Sequence, residues 1–359
     1  KNIGYGQILE NELDHIHEST RDRLSEHILK TGDIVFGRKG SVDRHAYISE
    51  NYNGWVQGSD CIRLRFQEDV NTRYISHYLK LDHVKKQINH ASIGSTMASL
   101  NTDILKNIKI ILPELSVQNS IESVLSSLES KVDVNSKICF ELEAMAKSLY
   151  DYWFVQFDFP DENGRPYRTS GGAMEWNDQL KQEIPNGWKV MRICDIADLY
   201  QPKTLSGSDM VENGLYNVYG ANGIIGKYNS YNHENRTIAI TCRGASCGNF
   251  LMTLPKSWIT GNAMVVSPHA EISQEYLYYT LSKDRISPFI TGSAQPQITR
   301  ENLSNLLVVI ADEKNMTAFS TFSDVVRSKI ESSVSENEEL TKLRDWLLPM
   351  LMNGQAKVE

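Results

Sequence analysis

One stretch of this chain is written twice, and the two copies keep a constant spacing of 198 positions through their second halves. The shift carries Gly94-Ser95 onto Gly292-Ser293, Leu105 onto Leu303, Asn107 onto Asn305, Lys131-Val132 onto Lys329-Ile330, Leu142 onto Leu340 and Leu149 onto Leu347. Nearer the start of each copy the offset drifts through loop insertions: Tyr74 aligns with Tyr276, Trp55 and Gly58 with Trp258 and Gly261, and Lys39-Gly40 with Arg243-Gly244. Solenoid units repeat every 20–50 residues or so, so a period this long means a duplicated domain. Two copies of one module in a 359-residue chain point to a target with two parts.

Each copy runs in the same order: a strand-rich part punctuated by Gly, Ser and Asn, a short helix, a strand pair, and a long helix. In the first copy, Asp33–Phe36 and Cys61–Phe66 are β-branched or aromatic runs bounded by turn residues and read as strands. Tyr74–Asn89 carries Ile75, Tyr78, Leu79, Val84 and Ile88 at helical spacing, and Ile108–Leu112, closed by Pro113, reads as a buried strand. The second-copy counterparts are Thr237–Thr241, Ala263–Ser267, Glu275–Leu281 and Leu306–Ile310. The expected fold class is α/β (α+β), with helices packed on a sheet. The second copy also has a lead-in from Trp188 to Tyr216, strand-like over Ile193–Tyr200, whereas only 32 residues precede Asp33. The expectation is that some of the first copy lies upstream of Lys1.

The long helices constrain the architecture most. From Val117 the apolar residues fall at Ile121, Val124, Leu128 and Val132, then at Ile138, Leu142, Met145 and Leu149, with Asn135 as a polar interruption. The second copy repeats this with Phe319, Phe322, Val326, Ile330, Leu340, Leu343, Leu347 and Leu351, interrupted at Ser333. A 3–4 spacing held this long is a coiled-coil pattern. The simplest burial sets the two stripes against each other as two long antiparallel coiled-coil helices, with the modules at opposite ends. The boundaries that follow are 1–113 for the first module, 114–154 for its helix, 155–187 for a turn-rich connector, 188–311 for the second module, 312–352 for its helix and 353–359 for a tail.

Composition bounds the class. Apolar residues make up 40% and charged residues 23%, as in soluble globular proteins. No apolar run reaches the length of a membrane span, and no signal or lipidation motif is present. Cys61, Cys139, Cys194, Cys242 and Cys247 lack a CxxC spacing and read as reduced thiols, hence a cytoplasmic protein without a zinc site. The net charge of −8 argues against a wholesale polyanion binder, yet the acid is localised. Residues 114–151 hold 3 basic and 7 acidic side chains, 152–188 hold 3 and 6, and 312–359 hold 6 and 9. Residues 1–113 (15 basic, 14 acidic) and 189–311 (10 and 9) are weakly positive and able to contact phosphates locally.

Enzymatic signatures fail. Gly220–Tyr228 has five residues between its glycines where a phosphate loop has four, and Tyr228 replaces the magnesium-binding hydroxyl. No HExxH metal motif and no Pro-Pro of an amino-methyltransferase loop occurs. No cofactor is expected. What remains are polar loops at matching places in both copies. Arg38, Lys39 and Ser41, with Arg44 behind them, follow the first strand; Arg243 and Ser246, with Asn249 behind them, follow its counterpart. Ser95 and Thr96 in one copy match the loop holding Gln295 and Gln297 in the other, and Asn222 and Lys227 sit in the Gly220–Tyr228 turn. Glycine lets a backbone approach a phosphate or base edge, Arg bonds guanine bidentately, and Asn or Gln reads adenine. Base contact, phosphate contact and an ordinary turn all remain open for each loop.

The order of a Gly-Asp-Ile strand with an Arg/Lys-Gly loop, a Gly-Ser-Thr loop, an Ile-Leu-Pro strand and a helix ending Glu143–Phe154 (EAMAKSLYDYWF) resembles the specificity subunit of a bacterial type I restriction–modification enzyme. So does the second helix's end, Leu340–Gly354 (LTKLRDWLLPMLMNG). The resemblance covers essentially the whole chain. It implies a non-catalytic subunit with two target-recognition domains, each reading half of a bipartite site in double-stranded DNA. The paired helices would space them and dock two methyltransferase subunits, and translocating restriction subunits would join. The assembly would then be an adenine DNA methyltransferase and ATP-dependent endonuclease serving phage defence. The aromatic helix ends, Tyr152, Trp153, Phe154, Trp346 and Leu348, are the expected docking surface. A protein-interaction scaffold without sequence-specific DNA binding, or a nuclease with an unseen motif, are the alternatives.

Overall fold

The computed structural model describes residues 2–358 apart from Glu68, 93–98, Ala221, Ser282 and Ser293, and for Lys283 the backbone only. It divides into two compact units, Lys1–Asn135 with Ser335–Glu359, and Ser136–Val334. The division falls inside the long helices, Leu115–Tyr150 and Glu313–Met352, rather than at their ends. The reason is packing. In unit 1, Ile121 and Leu125 of the first long helix share a core with Leu348, Leu351 and Met352 of the second. In unit 2, Ala146 and Tyr150 of the first pack with Met316, Phe319 and Val326 of the second. Within each unit, therefore, the helices run antiparallel. Lys131–Glu336 (3.5 Å) and Arg344–Glu129 (3.8 Å) mark the register in unit 1. In unit 2, Arg327–Glu143 (3.1 Å) does so. The polar interruptions are buried, and Asn135 donates to Glu336 Oε2 at 2.8 Å and to Asn337 Oδ1 at 3.0 Å.

Unit 1 holds a sheet of β1 (Tyr5–Gly6), β2 (Ile34–Gly37), β3 (His45–Tyr47) and β4 (Cys61–Leu64), in the order β1-β3-β2-β4. Unit 2 begins with the hairpin β5 (Met174–Asn177) and β6 (Gln182–Pro185), then β7 (Lys189–Arg192) and β8 (Ala197–Tyr200). The hairpin β9 (Tyr216–Gly220) and β10 (Gly223–Tyr228) follows. Next come β11 (Ile238–Thr241), β12 (Phe250–Met252), β13 (Trp258–Ile259), β14 (Ala263–Pro268) and β15 (Leu307–Ile310). Its main sheet, β12-β11-β14-β8, contains the same antiparallel triplet as unit 1, with β12, β11 and β14 standing for β3, β2 and β4. The alternating apolar runs seen in the sequence become the central strands, whose residues are almost wholly buried.

One device ties each short helix to the segment before its long helix. Helix Thr72–Tyr78 is capped by Asn71, and helix Gln274–Thr280 by Ser273, each side chain accepting from the N–H three residues on. The fully buried Tyr74 donates its hydroxyl hydrogen to Ile111 O at 3.0 Å, and Tyr276 donates to Val309 O at 2.7 Å. Tyr74 pairs with Tyr276 and Ile111 with Val309 in the repeat, so a buried phenol is satisfied identically in both copies.

Three expectations change. The helix read over Tyr74–Asn89 is two, Thr72–Tyr78 and Asp82–Ala91, because an extended Leu81 breaks it while Leu79 and Leu81 both stay buried. Ile108–Leu112 is not a strand: β15 pairs with β7, but no described strand lies beside Ile108–Leu112, and Ile111 (60%) and Leu112 (48%) are exposed. Within the turn-rich segment 155–187, Phe157, Phe159 and Ile184 enter the core of unit 2, and Phe159 stacks on Trp188 at 4.9 Å. Finally, Val117, Ile138, Met145 and Leu343 are exposed although they lie on the apolar stripes, while Leu125, off the stripe, is fully buried. The globular parts, more than the opposite helix, decide which face of each long helix is covered. Among the described residues no helix is long and apolar enough to cross a membrane.

The seats of the two short helices carry opposite charges. In unit 1, Lys80 at 2.7 Å and His77 at 3.8 Å face Glu129 on the first long helix, and Arg344 of the second long helix meets the same carboxylate at 3.8 Å. In unit 2 the position matching Glu129 is Arg327, which lies 3.7 Å from Glu275 of the short helix and 3.1 Å from Glu143 of the other long helix. The sequence is cation–anion–cation in one unit and anion–cation–anion in the other. Burial alone would raise the Glu129 carboxyl, but Lys80 and Arg344 hold it below its usual range. Glu275 is raised by its burial despite Arg327.

Candidate nucleic-acid interface

In each unit the loop after the central strand is laced to the segment that precedes a one-turn helix, Thr102–Lys106 in unit 1 and Arg300–Leu303 in unit 2. In unit 1, Leu100 N–H donates to Arg38 O at 2.8 Å, and Lys39 bridges Ser99. In unit 2, Ile298 N–H donates to Cys242 O at 2.9 Å, and Arg243 bridges Gln297. Ser99 and Gln297 are repeat equivalents, so in unit 2 the two loops that sequence treated separately meet, and in unit 1 the first of them meets Ser99. Ser99 itself was missed, although the spacing that relates the copies leads from Gln297 straight to it. Ser95 and Thr96 lie outside the described residues.

Glycine is required at the tip of each loop. Gly40 has φ +81° and Gly244 φ +85°, and a Cβ at either would meet nothing within 4 Å. The backbone conformation, not crowding, selects glycine there, and the approach to each tip is open. Arg38, Lys39, Ser41 and Arg243 are exposed, while Arg44 and Ser246 are half-buried. Among the described residues Arg38, Lys39, Arg44 and Arg243 make no ion pair, which leaves four cations without an anion at these loops.

Around Arg243 the polar groups converge. Gln297 N–H and Thr291 N–H each donate to the other's carbonyl at 2.8 Å, closing the loop that presents the exposed Gln295. Gly244 N–H donates to Pro296 O at 3.0 Å, and Asn249 Nδ2 donates to Asn222 Oδ1 at 3.1 Å. Lys227 does not join them. It lies at the far end of β10 from the Asn222 turn, roughly 16 Å along a strand rising about 3.3 Å per residue.

Of the aromatic helix ends, the structure buries Phe154 (4%) and Leu348 (9%). Phe154 stands edge-on to Tyr276 at 4.9 Å, and Leu348 belongs to the core of unit 1. Trp153 packs partly on the core of unit 2. Tyr152 (38%) and Trp346 (58%) remain exposed. The surplus apolar surface read from the sequence is thus largely covered by the globular parts.

The segment Gly244-Ala245-Ser246-Cys247-Gly248 spells the letters of a hydrolase nucleophile elbow. It connects β11 to β12 rather than a strand to a helix, so the strained exposure of the serine is absent. Among the described residues no histidine bonds Ser246, and no cluster of His, Cys, Asp or Glu gathers to hold a metal ion.

Each copy thus sets one sheet module on the two long helices and presents an arginine loop that makes no ion pair among the described residues. The type I restriction modification DNA specificity domain family matches residues 2–144 and 185–342, and the chain belongs to that family. Among curated relatives it is 22% identical to the MjaIX specificity subunit of Methanocaldococcus jannaschii, covering 96% of this chain and 82% of that protein. It is 21% identical to the HindI specificity subunit of Haemophilus influenzae, covering 98% and 93%. The fold is also that of the crystallised S subunit of a type I restriction–modification system from M. genitalium (TM-score 0.59, 17% identity), over 91% of this chain and 84% of that one. DNA sequence recognition without catalysis is the role of the family.

Proposed function

We propose that residues 1–113 and 188–311 are two target-recognition domains, each reading one half of a bipartite site in double-stranded DNA. The first reads through Arg38, Lys39, Ser41 and the loop holding Ser95 and Thr96. The second reads through Arg243, Ser246, Asn249, Asn222 and the Gln295–Gln297 segment. The helices 114–154 and 312–352 take up two methyltransferase subunits, with Tyr152 and Trp346 as the exposed contacts, and restriction subunits complete an ATP-dependent nuclease acting in the cytoplasm. The chain supplies the address and the partners the chemistry.

The observation that carries this reading is the recurrence, on the same strand and beside the same segment in both copies, of a glycine-tipped loop bearing a cation without a counter-ion. Recurrence alone fits a structural turn. Exposed charge without a counter-ion at both places adds what a phosphate or base contact needs. The test is methylome sequencing of a host with and without this gene, and with the segment 242–249 replaced by a neutral loop. One bipartite adenine-methylated motif should depend on the gene, and only one half of it should change with the loop. Loss of no motif, or change in neither half, would overturn the reading.

A further inference from the structure

We propose that Tyr5, Arg44 and Lys85 form a clamp for one phosphodiester group of double-stranded DNA in unit 1, an inference that rests on the DNA-reading role above. Three separate elements deliver these residues. Tyr5 begins β1, which pairs in parallel with β3 in the register Tyr5↔His45, so the ring stands beside the residue that leads into β3. Arg44 is that residue, and its guanidinium lies 5.3 Å from the centre of the Tyr5 ring. From helix Asp82–Ala91, the Lys85 ammonium reaches the same ring at 5.1 Å. The ring is 47% exposed. Its hydroxyl donates to Asp43 Oδ2 at 3.2 Å, which fixes its direction.

Two cations held on one aromatic ring attract the ring and repel each other. Lys85 has Asp82 at 3.7 Å, but that carboxylate is 88% exposed and one helical turn away, so it neutralises little. Among the described residues Arg44 makes no ion pair. An anion that accepts from both would relieve that repulsion, with the Asp43 carboxylate held at the ring's hydroxyl. A phosphate suits it: the guanidinium offers a planar fork, and the ammonium a point charge. Free inorganic phosphate shares that chemistry. The DNA backbone is favoured because Arg44 lies three residues past Ser41, on the same β2–β3 connection that carries the unpaired Arg38 and Lys39. Such a line of cations fits a polyanion better than a single ion. A backbone contact there positions the domain and carries no sequence information.

The experiment uses the full chain purified with its methyltransferase subunits, a duplex bearing the target, and a duplex with both half-sites scrambled, over a potassium chloride series. Lys85→Gln and Arg44→Gln should weaken both duplexes by the same factor and flatten the log–log salt slope by about 0.9, the value for one phosphate. The double variant should flatten it no further, and Lys85→Arg should restore it. Should Arg44→Gln melt early, Lys85→Gln decides alone, since Lys85 is only half-buried. Unchanged affinity and slope would refute the clamp, as would a loss confined to the matched duplex. Heat protection by inorganic phosphate, lost in the variants without any DNA defect, would make the site a free-anion pocket and also refute it. A wild-type protein that treats both duplexes alike would sink the DNA-reading role instead, while the slopes still report on the clamp.

Discussion

Replacing Arg327 with methionine should destabilise unit 2 by about 3–5 kcal/mol, the range for stranding one partner of a buried ion pair. The side chain is 9% exposed and lies 3.1 Å from Glu143, 3.7 Å from Glu275 and 4.9 Å over the Tyr278 ring. Charges about 4 Å apart attract by about 4 kcal/mol at an effective dielectric of about 20. Methionine refills much of the volume, so the loss is chiefly electrostatic. Glu275, 3% exposed, would keep the Ser323 hydroxyl at 3.1 Å and Arg236 at 3.7 Å. Its carboxyl, already raised by burial, would rise further once Arg327 no longer opposes it. A carboxyl whose folded pKa is raised binds a proton that the unfolded chain lacks, so the variant should recover stability as pH falls. Adding Glu275→Gln should restore more than half of the loss at neutral pH. Amide hydrogen exchange of residues 274–280 and 319–330 in the full chain, corrected for intrinsic rates, reads this directly. A loss under about 1 kcal/mol, or no rescue by Glu275→Gln, would show that the charge relay does not hold the short helix in place.

The remaining expectations concern reading, acid sensitivity and the helix seam. Arg243→Ala should weaken recognition of one half-site by about 1–3 kcal/mol if the guanidinium meets a base, or flatten the salt slope by about one for all sequences if it meets a phosphate; binding unchanged at every sequence and salt concentration would make the loop a plain turn. His45 and His77, both buried, are pushed down to about 3 by burial and then by Lys80. Because the unfolded chain takes up those protons near pH 6.5, unit 1 should lose about 2 kcal/mol per histidine between pH 8 and pH 5; a flat urea-denaturation profile over that range would contradict this. Leu125→Ala, at a site with no exposure, should cost about 2–5 kcal/mol. Met145→Ala, at 47% exposure, should cost under about 0.5 kcal/mol, and the opposite ranking in urea denaturation would return the seam to the stripe read from sequence.

Period and punctuation, being local, were decided by the sequence. The 198-residue offset implied two like modules, and both were built on the same antiparallel triplet and the same buried tyrosine. The 3–4 spacing identified the long helices, and Gly beside Arg marked the two loops. Tertiary structure alone decided what those features face. Ile108–Leu112 has the composition of β15, but a strand exists only where a second backbone supplies hydrogen bonds, and among the described residues β7 does that for β15. An apolar stripe says that a helix face is buried, not by what. The globular parts therefore claimed Leu125, Phe154 and Leu348 and left Met145 and Trp346 in water. Charge is the least local property of all. Glu129 and Arg327 occupy the same place in the repeat, and only the side chains that folding brings to each, Lys80 with Arg344 and Glu275 with Glu143, make either residue a stable choice.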